Sequence, residues 1–193
     1  MDARPTIIVA GLGRCGTSMV MRMLAAAGVP TVGEAPDWED GDAQRMLEDR
    51  PDDWARLVQG RAVKVLDAHR LSRMPDMPKY DLIWLTRDPV QQARSMVKLL
   101  GSVFATVVPD RGTIRAMSRS IQKDEPRAFR TLSGGARVQL HLRFEQILAD
   151  PFGVANLVCA AFGIDRAHAP AMGSMVIRRS PACLPYLMET LTI

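Results

Sequence analysis

The sequence predicts an α/β fold in three layers, with a mostly parallel sheet of about four to five strands flanked by helices. Two observations predict it. Short β-rich runs alternate with longer helical stretches, the pattern of βαβ units. One of those runs, residues 80–86 (YDLIWLT), is apolar along almost its whole length, which suits a strand buried on both faces of a parallel sheet. A chain of 193 residues fits one domain, residues 1–193, with room for a sizeable core.

Residues 6–10 (TIIVA) are the first strand candidate. A glycine-rich turn follows, Gly11-Leu12-Gly13-Arg14-Cys15-Gly16, then Thr17 and Ser18, and a mostly apolar helical stretch over 19–27. Strand, glycine loop and helix make a phosphate cradle: backbone N–H groups curl round an anion, and the helix N-terminus adds partial positive charge. The spacing approaches G-x-x-x-x-G-K-[ST], with Gly11, Gly16 and Ser18 in place, so the fold is expected to be of the P-loop type. The lysine of that pattern is missing, because position 17 is Thr. The loop carries a cation earlier, at Arg14. A displaced cation points to an anion other than a magnesium-bound triphosphate. A phosphatase loop is excluded by counting, since Cys-x5-Arg would need an arginine where Met21 stands.

Gly28 and Pro30 break the first helix, and residues 29–32 read as a short extended piece. Residues 33–42 (GEAPDWEDGD) are a loop of turn formers around one Trp. Residues 43–50 and 53–59 read as short helices separated by Pro51. Residues 61–66 (RAVKVL) are the second strand candidate, and the short polar stretch 67–74 suits a helical turn. Pro75 and Pro78 mark a loop before the third strand, 80–86. In Arg87-Asp88-Pro89, Asp88 is a good N-cap and Pro89 a good first helical residue, for a helix reaching about Leu100. A long helical region over 113–132 is interrupted at Pro126. Gly134 and Gly135 turn the chain into 137–142 (RVQLHL), whose alternation predicts a half-buried strand. Residues 144–149 and 152–162 read as helices, with Gly163 stopping the second. The Pro- and Met-rich stretch after Ile164 has no firm periodicity.

Composition narrows the function classes. Hydrophobic residues at 47% and charged ones at 24% are ordinary for a globular protein. No apolar run approaches the roughly 20 residues of a membrane span, so no membrane partner is expected. The start of the chain goes straight into a strand, with no secretory signal. Three scattered cysteines, Cys15, Cys159 and Cys183, suggest reduced thiols in a cytoplasmic protein. His69, His141 and His168 are isolated, so no metal site is expected. The net charge of +4 is unevenly placed: residues 34–53 hold nine acids and two bases, and residues 111–143 eight bases and two acids. Arg111, Arg115, Arg119, Lys123 and Arg127 recur every four residues, as a solvated face or as a surface for an anionic acceptor. Aromatics, at 5%, do not interleave with these bases, which argues against single-stranded nucleic acid.

Ligands of such sheets bind beyond the carboxyl ends of the strands. That rule puts the glycine loop, the turn at Leu66-Asp67 and Arg87 on one rim. Ser95 lies about two turns into the helix after Arg87, roughly 9–10 Å along its axis. An arginine fork and a hydroxyl there suit a second phosphate.

Gly13-Arg14-Cys15-Gly16-Thr17-Ser18 after a strand resembles the 5′-phosphosulfate loop of the sulfotransferases, which use 3′-phosphoadenosine-5′-phosphosulfate (PAPS). Cys15 stands in their usual Ser position. Arg87-Asp88-Pro89 with Ser95 is similar to their R-[DN]-P-x5-S site for the 3′-phosphate. Arg143-Phe144-Glu145-Gln146-Ile147-Leu148 before Asp150-Pro151 is a weaker match to bacterial and Golgi-type members. The resemblance covers about residues 6–151.

It implies sulfuryl transfer from PAPS to a hydroxyl or amine of a small-molecule or glycan-like acceptor by in-line attack, leaving PAP and using no metal. Gly13, Arg14, Cys15, Gly16, Thr17 and Ser18 would hold the 5′-phosphate, and Arg87 and Ser95 the 3′-phosphate. Arg14 would sit by the sulfuryl or bridging oxygens. Lys64 resembles the second-strand lysine that stabilises the leaving group. The base is less defined. Cytosolic members place a His two residues after that lysine, where this chain has Leu66. Others use a Glu just past the first helix, a place Glu34 occupies, with Asp37, Asp67 and His69 as rivals. Two alternatives stay open: a P-loop kinase using Asp67 for Mg²⁺, and an inactive nucleotide-binding relative.

Overall fold

The computed structural model describes residues 4–104, 107 and 109–177. Cys183 and the rest of the tail lie outside them. Four strands alternate with helices: β1 (Ile7–Ala10), α1 (Thr17–Ala26), α2 (Gly41–Asp49), α3 (Pro51–Leu57), β2 (Ala62–Val65), β3 (Tyr80–Thr86), α4 (Pro89–Val103), α5 (Arg111–Ser133), β4 (Ala136–Arg143), α6 (Phe144–Ala149), α7 (Pro151–Phe162) and α8 (Ala169–Ser174). The sheet order is β2-β1-β3-β4, and every neighbouring pair is parallel. All four carboxyl ends therefore meet on one rim.

Side chains that alternate along the strands feed two cores. Ile7, Val9, Ile83, Leu85 and Leu142 pack with α1 and α7, which contribute Leu24 and Val158. Ile8, Val63, Val65, Leu82 and Trp84 pack with Trp54 of α3 and Ile121 and Leu132 of α5. This is the three-layer architecture expected from the sequence. β1 and β2 are buried at every position, which explains the unbroken apolar character of β1; in β2 only Lys64 departs from it. β4, at the sheet edge, buries only Leu142 and exposes its polar positions.

One polar residue interrupts the apolar run of β3. Asp81 is 1% exposed. Across the ladder Tyr80 pairs with Ala136 and Asp81 with Val138, so Arg137 is an extra residue on β4. That bulge aims the Arg137 guanidinium at the Asp81 carboxylate, with bonds of 3.0 and 2.8 Å. A buried carboxylate is tolerable only with such a partner.

Aspartates cap four helices as backbone N–H acceptors: Asp40 for α2, Asp88 for α4, Asp110 for α5 and Asp150 for α7. Gly163 ends α7 in the left-handed conformation, as expected. Two expectations need correction. α5 runs unbroken through Pro126; the carbonyl that loses its partner belongs to exposed Gln122, where water can replace the bond. Pro51 does not separate the two short helices but opens the second, in the first turn where its missing N–H costs nothing. Residues 67–74 hold the short turn expected of them, as two overlapping turns from Arg70 N–H to the Asp67 carbonyl and from Leu71 N–H to the Ala68 carbonyl. The stretch after Ile164 forms a 3₁₀ turn and α8, whose Met172 is fully buried against α7.

The Tyr80 hydroxyl donates to the Leu132 carbonyl at 2.5 Å, tying β3 to the end of α5. Burial pushes its pKa from 10.0 up to about 12. Tyr80→Phe is expected to lose about 1 kcal/mol in urea unfolding near neutral pH. Because the folded pKa is raised, the wild-type advantage is full below pH 10 and shrinks as pH rises toward 12. Equal stabilities at neutral pH would show that this bond contributes nothing.

Candidate functional site

The glycine loop leaves β1 at the middle of the rim, and its shape is fixed by close packing. A Cβ on Gly11 would stand 2.5 Å from the Leu85 carbonyl oxygen. Gly16 has φ 103°, and a Cβ there would meet the Phe144 ring at 2.8 Å. Arg14 is left-handed as well, at φ 68°, a strained state for a residue with a side chain. Its neighbours hold it there. Gln92 Nε2 donates to the Leu12 and Gly13 carbonyls at 2.9 and 2.8 Å. Arg87 Nη1 donates to the Arg14 carbonyl at 3.0 Å. In a planar trans peptide the C=O and the following N–H point opposite ways. The amides of Gly13, Arg14 and Cys15 are thereby turned away from the side chains that hold the carbonyls.

Cys15 is buried beneath this loop in the α1 core. Burial pushes its thiol up to about 12, so it stays protonated at the helix start. Its part here is to pack beneath the loop and not to serve as an acidified thiol. Thr17 is buried in the first turn of α1.

On the β3 side of the loop two guanidiniums and a hydroxyl come together. Arg14 Nε donates to Ser95 Oγ at 3.2 Å, so this cation leans toward α4. The Arg87 guanidinium lies over the Phe144 ring, 4.2 Å from its centroid. Its Nε is buried with no hydrogen-bond partner. Burial pulls the Arg87 pKa down; Glu145 opposes this and Arg14 adds to it. Glu145 also accepts the Asp88 N–H at 3.0 Å, tying α6 to the start of α4.

On the β2 side stands Lys64, with its side chain 3% exposed. Its ammonium donates to Ser18 Oγ at 3.0 Å, to the Asp37 carbonyl at 3.1 Å and to Glu39 Oε1 at 2.5 Å. The cation missing at position 17 thus arrives from the neighbouring strand. Glu34 is exposed and is not among the partners of Lys64; it lines an open cleft of about 610 Å³ with Glu39, Arg45 and Arg61. Asp67, at φ 51°, has its carboxylate 3.6 Å from Arg70. The Asp37 carboxylate accepts from the Glu39 N–H at 3.1 Å. His69 buries an unpartnered Nδ1. Among the described residues no group of three or more His, Cys, Asp or Glu is placed to hold a metal, and no helix is long and apolar enough to cross a membrane.

Two residues of the site escaped the sequence reading. Gln92 had a readable signal, since it lies three before Ser95 and so on the same helix face. Glu39 had none, being one acid among nine in its region.

Buried Cys15 is expected to react with iodoacetamide at least about a hundredfold more slowly in the native protein than in urea. Peptide mapping reads this directly; equal rates would mean that the loop does not cover the thiol.

No family model matches the sequence, and no curated protein matches it. Its fold is similar to that in the crystal structure of mouse sulfotransferase SULT7A1 complexed with PAP, with a TM-score of 0.57 and 15% sequence identity. The match covers 91% of this chain and 65% of that one, so the chain spans about two thirds of the length of the protein it resembles. The chain therefore has the α/β fold of a sulfotransferase, as the loop and the Arg-Asp-Pro helix start implied.

Proposed function

We propose that the protein is a sulfotransferase that binds PAPS and transfers its sulfuryl group to a hydroxyl or amine of a small-molecule or glycan-like acceptor. The observation that supports this reading is the placement of donors on both sides of the loop: Arg14, Arg87 and Ser95 on one side, Lys64 and Ser18 on the other. The residues present fit the nucleotide. The unpartnered Arg87 Nε is a buried donor beside the loop, and the bends at Gly11 and Gly16 leave no room for a side chain. The PAP in the similar mouse structure supports the same ligand class.

In this reading the loop from Gly13 to Ser18 holds the 5′-phosphate. Arg87 and Ser95 hold the 3′-phosphate, with Arg14 between the two sites. When bound, PAPS supplies a sulfuryl group activated by its phosphate leaving group. The protein contributes positioning and preorganised positive charge. Lys64 is held on the β2 side, where it neutralises charge at the far end of the loop. Glu34, in the cleft, is the proposed proton acceptor, with Asp67 as its rival. The buried free thiols Cys15 and Cys159 support the cytoplasmic setting expected from the cysteine count. The kinase alternative is weaker: Thr17 stands where a P-loop lysine would reach a triphosphate, and Asp67 faces Arg70.

Isothermal titration with PAP, and separately with ATP and Mg²⁺, tests the reading. PAP is expected to bind, and Arg87→Ala to weaken it by about a hundredfold, the loss of a charged hydrogen-bonded contact. Binding of ATP with Mg²⁺ but not of PAP would move the protein to phosphoryl transfer. Glu34→Ala is expected to abolish turnover of radiolabelled PAPS at unchanged PAP affinity. No turnover by the wild type over a broad acceptor panel, despite PAP binding, would favour an inactive nucleotide-binding protein.

A further inference from the structure

We infer that Glu39 is a positioning residue: its carboxylate occupies, on Lys64, the place of an anionic oxygen of the ligand and is exchanged for it when the nucleotide binds. The inference rests on the sulfotransferase reading of the site.

An ammonium has three N–H donors. Those of Lys64 are all engaged, by Ser18 Oγ, the Asp37 carbonyl and Glu39 Oε1. A further acceptor finds no proton, so one of the three partners must leave before Lys64 can serve a ligand. Ser18 is fixed in the first turn of α1, which starts at Thr17. The Asp37 carbonyl is backbone, next to Trp38, which is buried and has the Arg22 guanidinium 5.9 Å from its ring centroid. Glu39 is different on each count. Its side chain is 45% exposed against 3% for Lys64. It already lines the open cleft and needs only a side-chain rotation to leave. It is also the one charged partner of the three. Exchanging one anion for another keeps one negative charge on the buried ammonium, whereas displacing a neutral partner would crowd two anions onto a single cation.

The exchange has a direction. A carboxylate is a single charge on a mobile stem, and a phosphate group is held at several points by the loop at once. The nucleotide displaces Glu39, and the freed carboxylate turns into the cleft beside Glu34. A positively charged amine acceptor entering by that cleft would then meet one more unpaired negative charge after the nucleotide has bound than before, which for that acceptor class favours nucleotide first.

The test is PAP affinity, by titration calorimetry, of the wild type, Glu39→Gln and Glu39→Asp. Glutamine keeps the shape and loses the charge; aspartate keeps the charge and falls short of Lys64. Both variants are expected to bind PAP at least about fivefold more tightly than the wild type, because a charged hydrogen bond no longer competes. A merely structural role would move affinity the other way. Unchanged or weaker binding by both variants overturns the inference. So does tightening by Glu39→Gln alone, which would be a field effect and not an exchange of contacts. Should the wild type not bind PAP at all, the sulfotransferase reading has failed separately, and the same comparison with inorganic pyrophosphate decides the exchange: tighter binding by both variants sustains it, and equal binding overturns it.

Discussion

The site depends on how the carbonyls of one loop are held. Three successive carbonyls, those of Leu12, Gly13 and Arg14, are taken by side chains from the next strand-to-helix junction. A loop with two left-handed residues, Arg14 and Gly16, does not keep that shape unaided. Gln92 and Arg87 supply the constraint, and they reach the loop because β3 lies directly beside β1. The sheet order is thus part of the candidate site. An insertion between β1 and β3 would leave every motif intact and separate the loop from its supports.

Placement of the cations follows from the same order. β1 has β3 on one side and β2 on the other. The β2 neighbour carries Lys64, paired in register with Val9. Its face points toward α1, which takes the ammonium to Ser18 and not to solvent. A lysine in a four-residue strand that is otherwise AV_V has to reach a polar partner, and the start of α1 is within reach. This explains how a P-loop-like turn manages with Thr17. The cation comes from the side of the cradle and not from within it.

Much of this was legible in the sequence. β3 was bounded residue by residue, because its apolar run is long and ends at an Arg-Asp-Pro that can only start a helix. The strand, loop and helix around Gly11–Ser18 were legible from glycine spacing, and Arg87 with Ser95 from helical periodicity. What stayed hidden was long-range. Nothing local announces that Arg14 turns toward Ser95, 81 residues away, or that Glu39 reaches back to Lys64. Arg137 read as an ordinary polar residue of an edge strand; only the bulge against β3 makes it the partner of Asp81. Pro126 misled in the opposite direction, because the usual cost of an internal proline falls on a carbonyl that water can reach.

The two ends of the rim differ electrically, and the difference gives a ligand its direction. On the β2 side the charge of Lys64 is matched by Glu39, so that end offers a compensated cation. On the β3 side Arg14 and Arg87 crowd each other. Burial lowers the Arg87 pKa first; Glu145 works against this, and the like charge of Arg14 adds to the lowering. Glu145 divides its carboxylate between that field and the Asp88 amide, so it compensates only part of it. A dianion at the β3 end would relieve burial and repulsion together, while an anion at the β2 end has to replace one already present. The first gain is larger, because it removes an existing penalty as well as adding a contact. In the proposed reading, a ligand with two separated anionic groups would therefore be gripped first at Arg87 and Ser95. Its other end would be laid across the loop toward Lys64, which would fix the orientation of any chemistry at that lysine.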